Sequence, residues 1–545
     1  MTLTHITGTV LTGLLLVLAN RSPAQPIPLR SDISIKKVLS PETDCVRIAR
    51  DPSTGKVYYL RGNGDIDEVN IAAGTKSVAY TSANHKLNFT ASGGGFAISK
   101  DGAFFIVGYP VSGTAGYNIG VVERGHLQNT TRVWDTVAIT EPYLQSLTGH
   151  DHLFNAIEIM PGENYLIVNS GSRTDHGDTA RVLNGGREYP ITSAMFMLPF
   201  TGKNIHLWNN EDSLKPYLYA DGVRNAFDMA FAPNGDLFAI DNSDVADDDE
   251  ELNWIREGRH YGFPWRISTN DNPQQYPGFS PASYFLLNTT DKSFFNDLKF
   301  PLKPAGVTFT DPIMNIGPDD DHFRDTNRTV KDASALGRKL STFSSHSSPL
   351  ALVFDSDSAL IPELAGHLFA MSYNDNGQAK FIPMAEPGQD LLHLELTKID
   401  AEDRYEVKTT RIAQGFTHPV DAIMIKNKLY VVENGVGASL WEVTLPAKAA
   451  LVRQEGNPPS QFQLGNYPNP FNPATTIRFS LPRAQRVTLK VFDMIGREVA
   501  TLLNDRLEPG QFEVAFNAAG LSSGVYVYRL QAGDFGTAKS MVLLK

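Results

Sequence analysis

One short pattern recurs along this chain and restricts its fold more than any other feature. It consists of an apolar strand, a turn of Gly, Asn, Asp or Pro, and a second strand with aromatic or β-branched side chains, which is typical of a β-hairpin. Six such hairpins begin at Cys45, Gly94, Phe154, Phe227, Pro349 and Val420. A chain that repeats one hairpin in this way is expected to repeat one structural unit.

The connections between the hairpins differ in length, and the longest lies between the fourth and the fifth. Long amphipathic helices are not evident in the sequence, so we predict an all-β fold in which residues 25–446 form a six-bladed β-propeller. One or two β-sandwiches are the alternative, although six similar units are too many for one sandwich. In a propeller, loops at one mouth of the central channel bring side chains from different blades together.

Length, charge and cysteine content restrict the domain number and the partners. A chain of 545 residues is too long for one ordinary core, so we expect two or more domains. The net charge of −12, without any cluster of Lys and Arg, excludes DNA and RNA as partners. The single cysteine, Cys45, cannot form an intrachain disulfide, so the core or a metal must stabilise the fold.

The N-terminus has the pattern of an export signal. The apolar stretch from Val10 to Ala19 is too short to span a bilayer, and small residues that suit cleavage follow it at 22–24. We therefore predict a signal peptide over residues 1–24. A buried N-terminal helix is the alternative, because no Lys or Arg precedes the apolar stretch. No other stretch is long and apolar enough to cross a membrane.

The composition changes after Pro446. Residues 447–463 are polar and contain Pro, as expected of a linker, and residues 464–545 alternate like the strands of a small, Ig-like β-sandwich. This tail resembles the C-terminal sorting domain of bacterial type IX secretion cargo in the segments NYPNPFNP, VFD and SGVY. The resemblance implies that the type IX secretion machinery is a partner and that the protein is secreted or displayed at the cell surface. An adhesion module is the alternative.

Five consecutive acids, Asp247 to Glu251, form the most charged segment of the chain. Such a run repels itself unless water or a cation neutralises it, and Ca²⁺ accepts carboxylate and backbone carbonyl oxygens in flexible loops. A solvated loop is the usual interpretation of an acidic run. Here an aromatic segment from Trp254 to Trp265 follows directly, which favours burial and a metal.

Several segments resemble the glucose/sorbosone dehydrogenase family, whose members are six-bladed propellers that bind pyrroloquinoline quinone (PQQ) and Ca²⁺. The matching segments are Gly222-x-Arg224-Asn225, AFAPNG from Ala230, Glu251-Leu252-Asn253 and Tyr261-Gly262-x-Pro264. A thinner resemblance extends over about residues 40–445. The catalytic His of the family opens an inner strand that a Pro turn follows, and His152 has this spacing.

The resemblance implies a secreted quinoprotein that oxidises an aldose or a sugar-like alcohol. This reaction requires a base for the O–H proton and an acceptor for the hydride, and no side chain can be the acceptor. On the family pattern, His152 is the base and Arg224 stabilises the charge that develops on PQQ. The predicted cofactor-binding residues are Arg224, Asn225, His346 and His418, and the predicted Ca²⁺-binding residues are Ser243, Asp244, Glu250 and Tyr261.

The sequence also departs from the family. The last blade of family members carries arginines for the three PQQ carboxylates, whereas residues 417–421 here read THPVD. A non-catalytic propeller that binds carbohydrate at the same mouth is therefore an alternative, and a Ca²⁺-dependent lactonase is a third. A buried structural Arg, paired with an acid between blades, is the alternative interpretation of Arg224. Residues 319–322, DDDH, are expected to form a solvated loop in the long insertion.

Overall fold

The computed structural model describes residues 25–89, 94–111, 116–146, 151–179, 186–287, 294–373, 384, 386–448, 451–454, 459–518 and 521–545. The predicted signal peptide, residues 1–24, lies outside these ranges. The α-helices described are single turns, Ser82–His85 and Glu211–Leu214. None of the helices in the described ranges is long and apolar enough to span a membrane.

Each of the six predicted hairpins forms, and we refer to its N-terminal member as a first strand. In every pair the two strands are antiparallel. The pairs are Cys45–Arg50 with Val57–Arg61, Gly95–Ile98 with Phe104–Pro110, Phe154–Ile159 with Tyr165–Ser170, Ala226–Phe231 with Leu237–Asp241, Pro349–Phe354 with Leu368–Ser372, and Pro419–Ile425 with Lys428–Glu433.

Further strands extend each hairpin outward into a sheet. Taken sheet by sheet, and in chain order within each sheet, these outer strands are Ile66–Asn70 and Thr75–Tyr80; Leu87–Asn88, Val121–Gln128, Thr131–Thr140 and Ile205–Leu207; Ala194–Pro199, Leu218–Asp221 and Arg259–His260; Glu251–Ile255; Ile27–Pro28, Met314–Asn315, Leu340–Ser341, Asp390–Ile399 and Arg404–Gln414; and Ser34–Leu39 with Leu440–Thr444. The long connections add three small pairs, which are Tyr117–Asn118 with Tyr143–Leu144, Arg266–Ile267 with Asn270–Asp271, and His322–Arg324 with Val330–Asp332. Short 3-10 turns lie at Pro273–Gln275, Pro281–Ser283, Ser334–Leu336 and Asp400–Glu402.

The sheets are arranged in a ring. Each first strand contacts the next one in sequence order, and the sixth contacts the first. The N-terminal strand Ser34–Leu39 closes the ring, because it pairs antiparallel with Leu440–Thr444 at the other end of this region. Separate apolar cores lie between neighbouring sheets. The all-β class and a propeller-like arrangement are therefore confirmed, while the count of six blades stays a prediction with which this ring agrees.

The tail forms two four-stranded antiparallel sheets. One contains Leu451–Gln454, Gly510–Asn517, Ala474–Leu481 and Gln463–Tyr467, and the other contains Glu498–Leu507, Gln485–Phe492, Gly524–Ala532 and Phe535–Leu543. Their alternating apolar side chains share one core that includes Ile477, Leu489 and Tyr528, as expected of a β-sandwich. Part of the predicted linker belongs to this sandwich, because Leu451–Gln454 pairs with Gly510–Asn517 and Leu451 packs on the core.

Arg47 lies across the channel inside the ring. Its side chain extends from Cys45–Arg50, the N-terminal strand of the first hairpin, and is 3% exposed. It donates hydrogen bonds to the carbonyl oxygens of Asn155, at 2.7 Å, and Phe227, at 2.6 Å. Its guanidinium carbon is 4.1 Å from the centroid of the Phe227 ring. Because Asn155 and Phe227 belong to the third and fourth first strands, one side chain connects three strands around the channel.

A chamber of about 630 Å³ lies in the channel and is lined by residues from all six first strands, Arg47 among them. Asp228 and Asp421 line it and tie neighbouring strands together, since they accept hydrogen bonds from the backbone N–H groups of Leu352, at 2.7 Å, and Ile48, at 2.8 Å. Glu158 also lines the chamber. Burial, followed by repulsion from Asp228 and Asp421, raises the pKa of Glu158 to about 8.

We predict that Arg47→Met destabilises the fold by about 3 kcal/mol, because it removes two hydrogen bonds from a charged donor and leaves two carbonyl oxygens buried. The measurement is the free energy of unfolding in urea. Arg50→Met is the matched control, since Arg50 is exposed at the end of the same strand. Equal stability of the two variants would contradict the role assigned to Arg47.

We predict that Glu158→Gln stabilises the protein increasingly as the pH rises from about 5 to 9. The pKa of Glu158 is higher in the folded state than the ordinary value of 4.5, so the folded protein binds the proton more tightly and wild-type stability falls across this range. The measurement is the difference in melting temperature between variant and wild type against pH. Glu257→Gln, at an exposed glutamate, serves as the control, and a difference that does not change with pH would contradict the prediction.

Candidate functional site

Four predicted site residues lie where the chain enters a first strand. Each precedes its strand by one to three positions, and these residues are His152, Arg224, His346 and His418. The backbone is left-handed at or beside three of them, with φ of 44° at Leu153, 60° at His346 and 51° at His418. These turns precede strands that are neighbours in the ring.

Side-chain hydrogen bonds connect these strand entries to one another. Asn155 donates from Nδ2 to Oδ1 of Asn225 at 2.5 Å, which joins the third entry to the fourth. Asn242 donates to the carbonyl oxygen of Pro349 at 3.1 Å, which joins the fourth sheet to the fifth entry. Asn434 donates to the carbonyl oxygen of Cys45 at 2.7 Å, which joins the sixth sheet to the first. The four predicted residues therefore surround one mouth of the channel.

The hydrogen bonds of His152 define its tautomer. Its Nδ1 lies 3.0 Å from Oγ of Ser172, and the same hydroxyl donates to the carbonyl oxygen of Thr174 at 2.8 Å. Because the hydroxyl proton is directed to Thr174, the hydroxyl accepts the N–H of His152 Nδ1. Nε2 is then the nitrogen with the basic lone pair when the imidazole is neutral. The side chain is partly exposed.

Arg224 is held by the carboxylate of Asp175 and by two backbone carbonyl oxygens. Its Nη2 lies 2.6 Å from Oδ1 of Asp175, its Nε donates to the carbonyl oxygen of Asp175 at 2.7 Å, and its Nη1 donates to the carbonyl oxygen of Asn242 at 2.8 Å. The residue is 5% exposed. These bonds use three of the five guanidinium N–H groups within the described residues, which leaves two for a ligand.

Asn225 is part of the network that connects the strand entries. Its amide donates to Oδ1 of Asn242 at 3.2 Å, and its backbone N–H donates to the carboxylate of Asp241. Asp241 also accepts the backbone N–H of Arg224 at 2.9 Å. Burial raises the pKa of Asp241 to about 6, even though these two N–H groups and Arg224 oppose the increase. Hydrogen bonds of both the backbone and the side chains therefore hold Arg224 and Asn225 in place.

The acidic run is buried. The five residues Asp247 to Glu251 are each between 2% and 9% exposed, so the interpretation as a solvated loop is wrong. Asp247 is neutralised by Arg324 and accepts a hydrogen bond from His346, with Nε2 to Oδ1 at 2.9 Å. Asp248 accepts hydrogen bonds from Asn270 and Tyr284. Sequence alone could not show this burial, because the packing partners come from distant segments.

The carboxylates in and beside this run carry more negative charge than the cations among the described residues balance. Burial, then repulsion from Asp248 and Asp175, raises the pKa of Asp244 well above its usual range, and burial raises that of Asp248 to about 7. Oδ2 of Asp244 and Oγ of Ser243 are buried and find no hydrogen-bond partner among the residues described. Such a carboxylate must take up a proton or bind a cation. A divalent cation fits this surplus.

Glu250 and Tyr261 are both buried, and their polar atoms are engaged. Glu250 accepts the backbone N–H groups of Ser243, at 2.8 Å, and His346, at 3.0 Å, so it holds two loops together. Tyr261 donates from its hydroxyl to the carbonyl oxygen of Trp254 at 2.6 Å. A cavity of about 10 Å³, the room of one water or ion, is lined by Tyr261, Ser243 and also Glu251, which the sequence analysis did not select.

His418 lies at the entry of the sixth first strand and stacks on Tyr373, with ring centroids 5.0 Å apart. His346 contacts Asp247 through Nε2, so its imidazole bridges the fifth entry and the acidic run. Neither residue was separable from an ordinary structural histidine by sequence. The structure brings both to the mouth that contains His152 and Arg224.

Asp175 is a residue of the candidate site that the sequence analysis did not select, and it is the ion-pair partner of Arg224. It stands in the segment DHGD, which has no diagnostic pattern, and only folding brings it to Arg224, 49 positions away. Glu188 fixes the same loop, since its carboxylate accepts the backbone N–H groups of Arg173 and Thr174, each at 2.8 Å. The loop that positions Asp175 is therefore itself held by a partly buried carboxylate.

The two-sheet architecture of the tail agrees with the predicted sandwich. Its sequence identifies the type of domain. It matches the secretion system C-terminal sorting domain. The matched region is residues 466–544. This sorting domain indicates export by type IX secretion to the cell surface or outside, as predicted from NYPNPFNP and the later segments. No curated protein matches the chain.

The propeller-like region has structural neighbours among soluble sugar dehydrogenases. The PQQ-bound aldose sugar dehydrogenase of Streptomyces coelicolor is 13% identical over 76% of this chain and 99% of its own, with a TM-score of 0.44. The apo aldose sugar dehydrogenase of Escherichia coli is 14% identical over 76% and 99%, with a TM-score of 0.48. The PQQ domain of pyranose dehydrogenase from Coprinopsis cinerea, in its holo form, is 14% identical over 78% and 98%, with a TM-score of 0.46. At such values the similarity assigns no ligand or residue role to this chain.

We predict that Asp175→Asn destabilises the protein by about 3–5 kcal/mol, because it leaves the Arg224 guanidinium buried without its counter-charge. Asp311→Asn is the matched control, since it breaks the pair of Arg266 with an exposed aspartate and is expected to cost below about 1 kcal/mol. The measurement is the free energy of unfolding of both variants. Similar losses in the two would show that the Asp175 pair is not a buried constraint.

Proposed function

We propose that this exported protein is a dehydrogenase that oxidises an aldose or a sugar-like alcohol with PQQ and Ca²⁺ at the channel mouth. The observation that carries the proposal is the convergence of a base, His152, with Arg224 and with buried carboxylates that have no described counter-cation. Sugar oxidation requires a proton acceptor, stabilisation of negative charge and an electron acceptor, and the mouth offers the first two. The sequence resemblance to PQQ-binding propellers supports the third.

The residues at the mouth fit PQQ, although they include fewer arginines than the family pattern has. Arg224 keeps two N–H groups for a carboxylate or quinone oxygen, and Asn225 keeps one amide N–H beside it. His418 stands where the family pattern has arginine, and its ring is stacked rather than ion-paired. When bound, PQQ accepts the hydride of the substrate. Arg224, Asn225, His346 and His418 are the residues proposed to hold it.

His152 is proposed to take the hydroxyl proton of the substrate at Nε2. The Ser172 hydroxyl keeps the other ring nitrogen protonated, so the tautomer is set before substrate binds. Arg224 is fixed by Asp175 and Asn242, so it provides positive charge at one place without reorganising during the reaction.

Ca²⁺ is proposed to bind at Ser243 and Asp244, with a second ion near Tyr261 and Glu250. The orphaned oxygens of Ser243 and Asp244 and the raised pKa of Asp244 support the first site. For the second, Glu251 is added to the proposed ligands, because it lines the small cavity together with Tyr261. A Ca²⁺ ion at either place offsets the buried negative charge.

A second candidate function is non-catalytic carbohydrate binding at the same mouth. The observation that favours it is the pair of Arg224 with Asp175, because a neutralised guanidinium attracts an anionic cofactor less strongly. This alternative predicts sugar binding without PQQ. The two candidates thus differ in one measurable property, the affinity for the cofactor.

We predict that the purified protein oxidises aldoses in a dye-linked assay only with added PQQ and Ca²⁺, and that His152→Ala lowers kcat by about 10²–10⁴-fold because a general base is lost. PQQ binding, followed by its absorbance, is expected to persist in this variant. His206→Ala, at an exposed histidine on the outside of the sheets, is the control. Failure of the wild type to bind PQQ would reject the dehydrogenase in favour of the ligand-binding candidate.

We predict that chelation of Ca²⁺ lowers the melting temperature and that saturating Ca²⁺ restores it, with a stabilisation of about 3 kcal/mol at 100 times the dissociation constant. In Asp244→Asn the effect of Ca²⁺ is expected to shrink, since an anionic ligand with a buried orphaned oxygen is lost. Asp534→Asn, at an exposed aspartate of the sorting domain, is the control. A melting temperature that is insensitive to Ca²⁺ would contradict the metal assignment.

A further inference from the structure

A second group of metal-ligating side chains joins the long insertion to the segment that precedes the strand Asp390–Ile399, and none of its members is a proposed cofactor residue. Asp321, His322 and Glu386 each offer one ligand atom, and these atoms all lie within 4.8 Å of one another. Asp320 and Asp321 are each 2% exposed, so the expectation of a solvated loop for residues 319–322 is wrong. Folding has instead buried this DDDH segment against a residue 64 positions away, Glu386.

The local structure holds Asp321 with one oxygen in use and the other unused. Its Oδ2 accepts the backbone N–H of Ser334 at 2.7 Å. Its Oδ1 is buried and has no hydrogen-bond partner in the described part of the chain, and the same is true of Oδ2 of Asp320. Orphaned carboxylate oxygens are rare in folded proteins, because a buried acceptor without a partner costs free energy. They point to a ligand that the protein atoms do not supply.

The charges of the cluster are also unbalanced. One guanidinium, that of Arg411, contacts three carboxylates, which are those of Asp319 at 3.0 Å, Asp390 at 2.6 Å and Glu386 at 2.5 Å. Asp320 and Asp321 have no cation of their own among the described residues. A divalent cation removes this deficit.

An ordinary His–Glu pair does not account for the arrangement. Nδ1 of His322 does contact Oε1 of Glu386, which satisfies these two atoms. The pair leaves the buried oxygens of Asp320 and Asp321 unmatched, although both lie in the same segment. A metal bound between the three side chains explains the orphaned oxygen of Asp321, the excess charge and the approach of His322 to Glu386 together.

We propose that Asp321, His322 and Glu386 bind a divalent transition-metal ion, with Zn²⁺ as the probe. Imidazole together with carboxylates suits Zn²⁺ and its neighbours, whereas Ca²⁺ takes oxygen ligands. Outer contacts orient Glu386, because Arg411 binds its Oε2 and the hydroxyl of Ser344 donates to its Oε1 at 3.2 Å. This site does not depend on the proposed dehydrogenase activity.

The position of the site gives it a structural role. The backbone N–H of His322 donates to Oγ of Ser344 at 2.8 Å, and the N–H of Ser344 donates to the carbonyl oxygen of Asp320 at 3.1 Å. Ser344 stands two residues before His346 at the mouth. A metal at Asp321, His322 and Glu386 therefore fastens the insertion to the loop that carries His346.

The test is zinc binding to the full-length purified protein, measured by isothermal titration against a chelator of known affinity. Millimolar Ca²⁺ is present throughout so that sites with only oxygen ligands are occupied. The variants are His322→Ala and Asp321→Asn, and the latter keeps the shape of the side chain in case the former does not fold. Asp332→Asn is the matched control, since it removes a charge from the same segment outside the ligand set.

The wild type and Asp332→Asn are expected to bind one Zn²⁺ more than the two ligand variants. If the two ligand variants still bind this Zn²⁺, we expect their affinity for it to be more than about 100-fold lower, because loss of even an outer contact of a metal site lowers affinity by about 10–100-fold. A second readout is the visible spectrum of the Co²⁺-substituted protein, which is expected to change in His322→Ala. Equal zinc affinity and number in wild type and Asp321→Asn, with both proteins folded, would overturn the proposal.

Discussion

The closure of the ring is the constraint on which the rest of the molecule depends. The strand Ser34–Leu39 pairs with Leu440–Thr444, so two segments about 400 positions apart complete one sheet. Loop-closure entropy opposes such a contact, and hydrogen bonds of the full ladder together with the cores between sheets must offset it. Once the ring is closed, every first strand has two neighbours, and its entry lies beside the next entry.

Convergence of the strand entries concentrates polar groups in a small buried volume. Asparagines and backbone groups join the entries, Arg47 crosses the channel, and Arg224 is matched by Asp175. Acidic residues are more numerous than the described cations that reach them, at 244–251 and again at 319–322. Since unpaired buried carboxylates are costly, both places are suited to hold a metal, although the ligand types differ.

The hairpins and the sorting domain were predictable from sequence because their signals are local. Alternation with a period of two identifies a half-buried strand, and residues such as Asn234-Gly235 identify its turn without knowledge of the partner strand. The strand Leu451–Gln454 was missed, since a short polar strand depends on the edge that it joins. The acidic runs were ambiguous for a related reason, because burial depends on the segments that cover them.

The sequence alone determined the all-β class, the six hairpins, the export tail and the presence of His152, Arg224 and Asn225 at strand entries. Only the tertiary structure decided which charges meet. It placed Asp175 against Arg224, Ser172 against Nδ1 of His152, and Glu386 against Asp321 and His322. The physical reason is that strand and turn preferences act over a few residues, whereas the pairing of buried charges depends on long loops whose ends meet only after the sheets assemble.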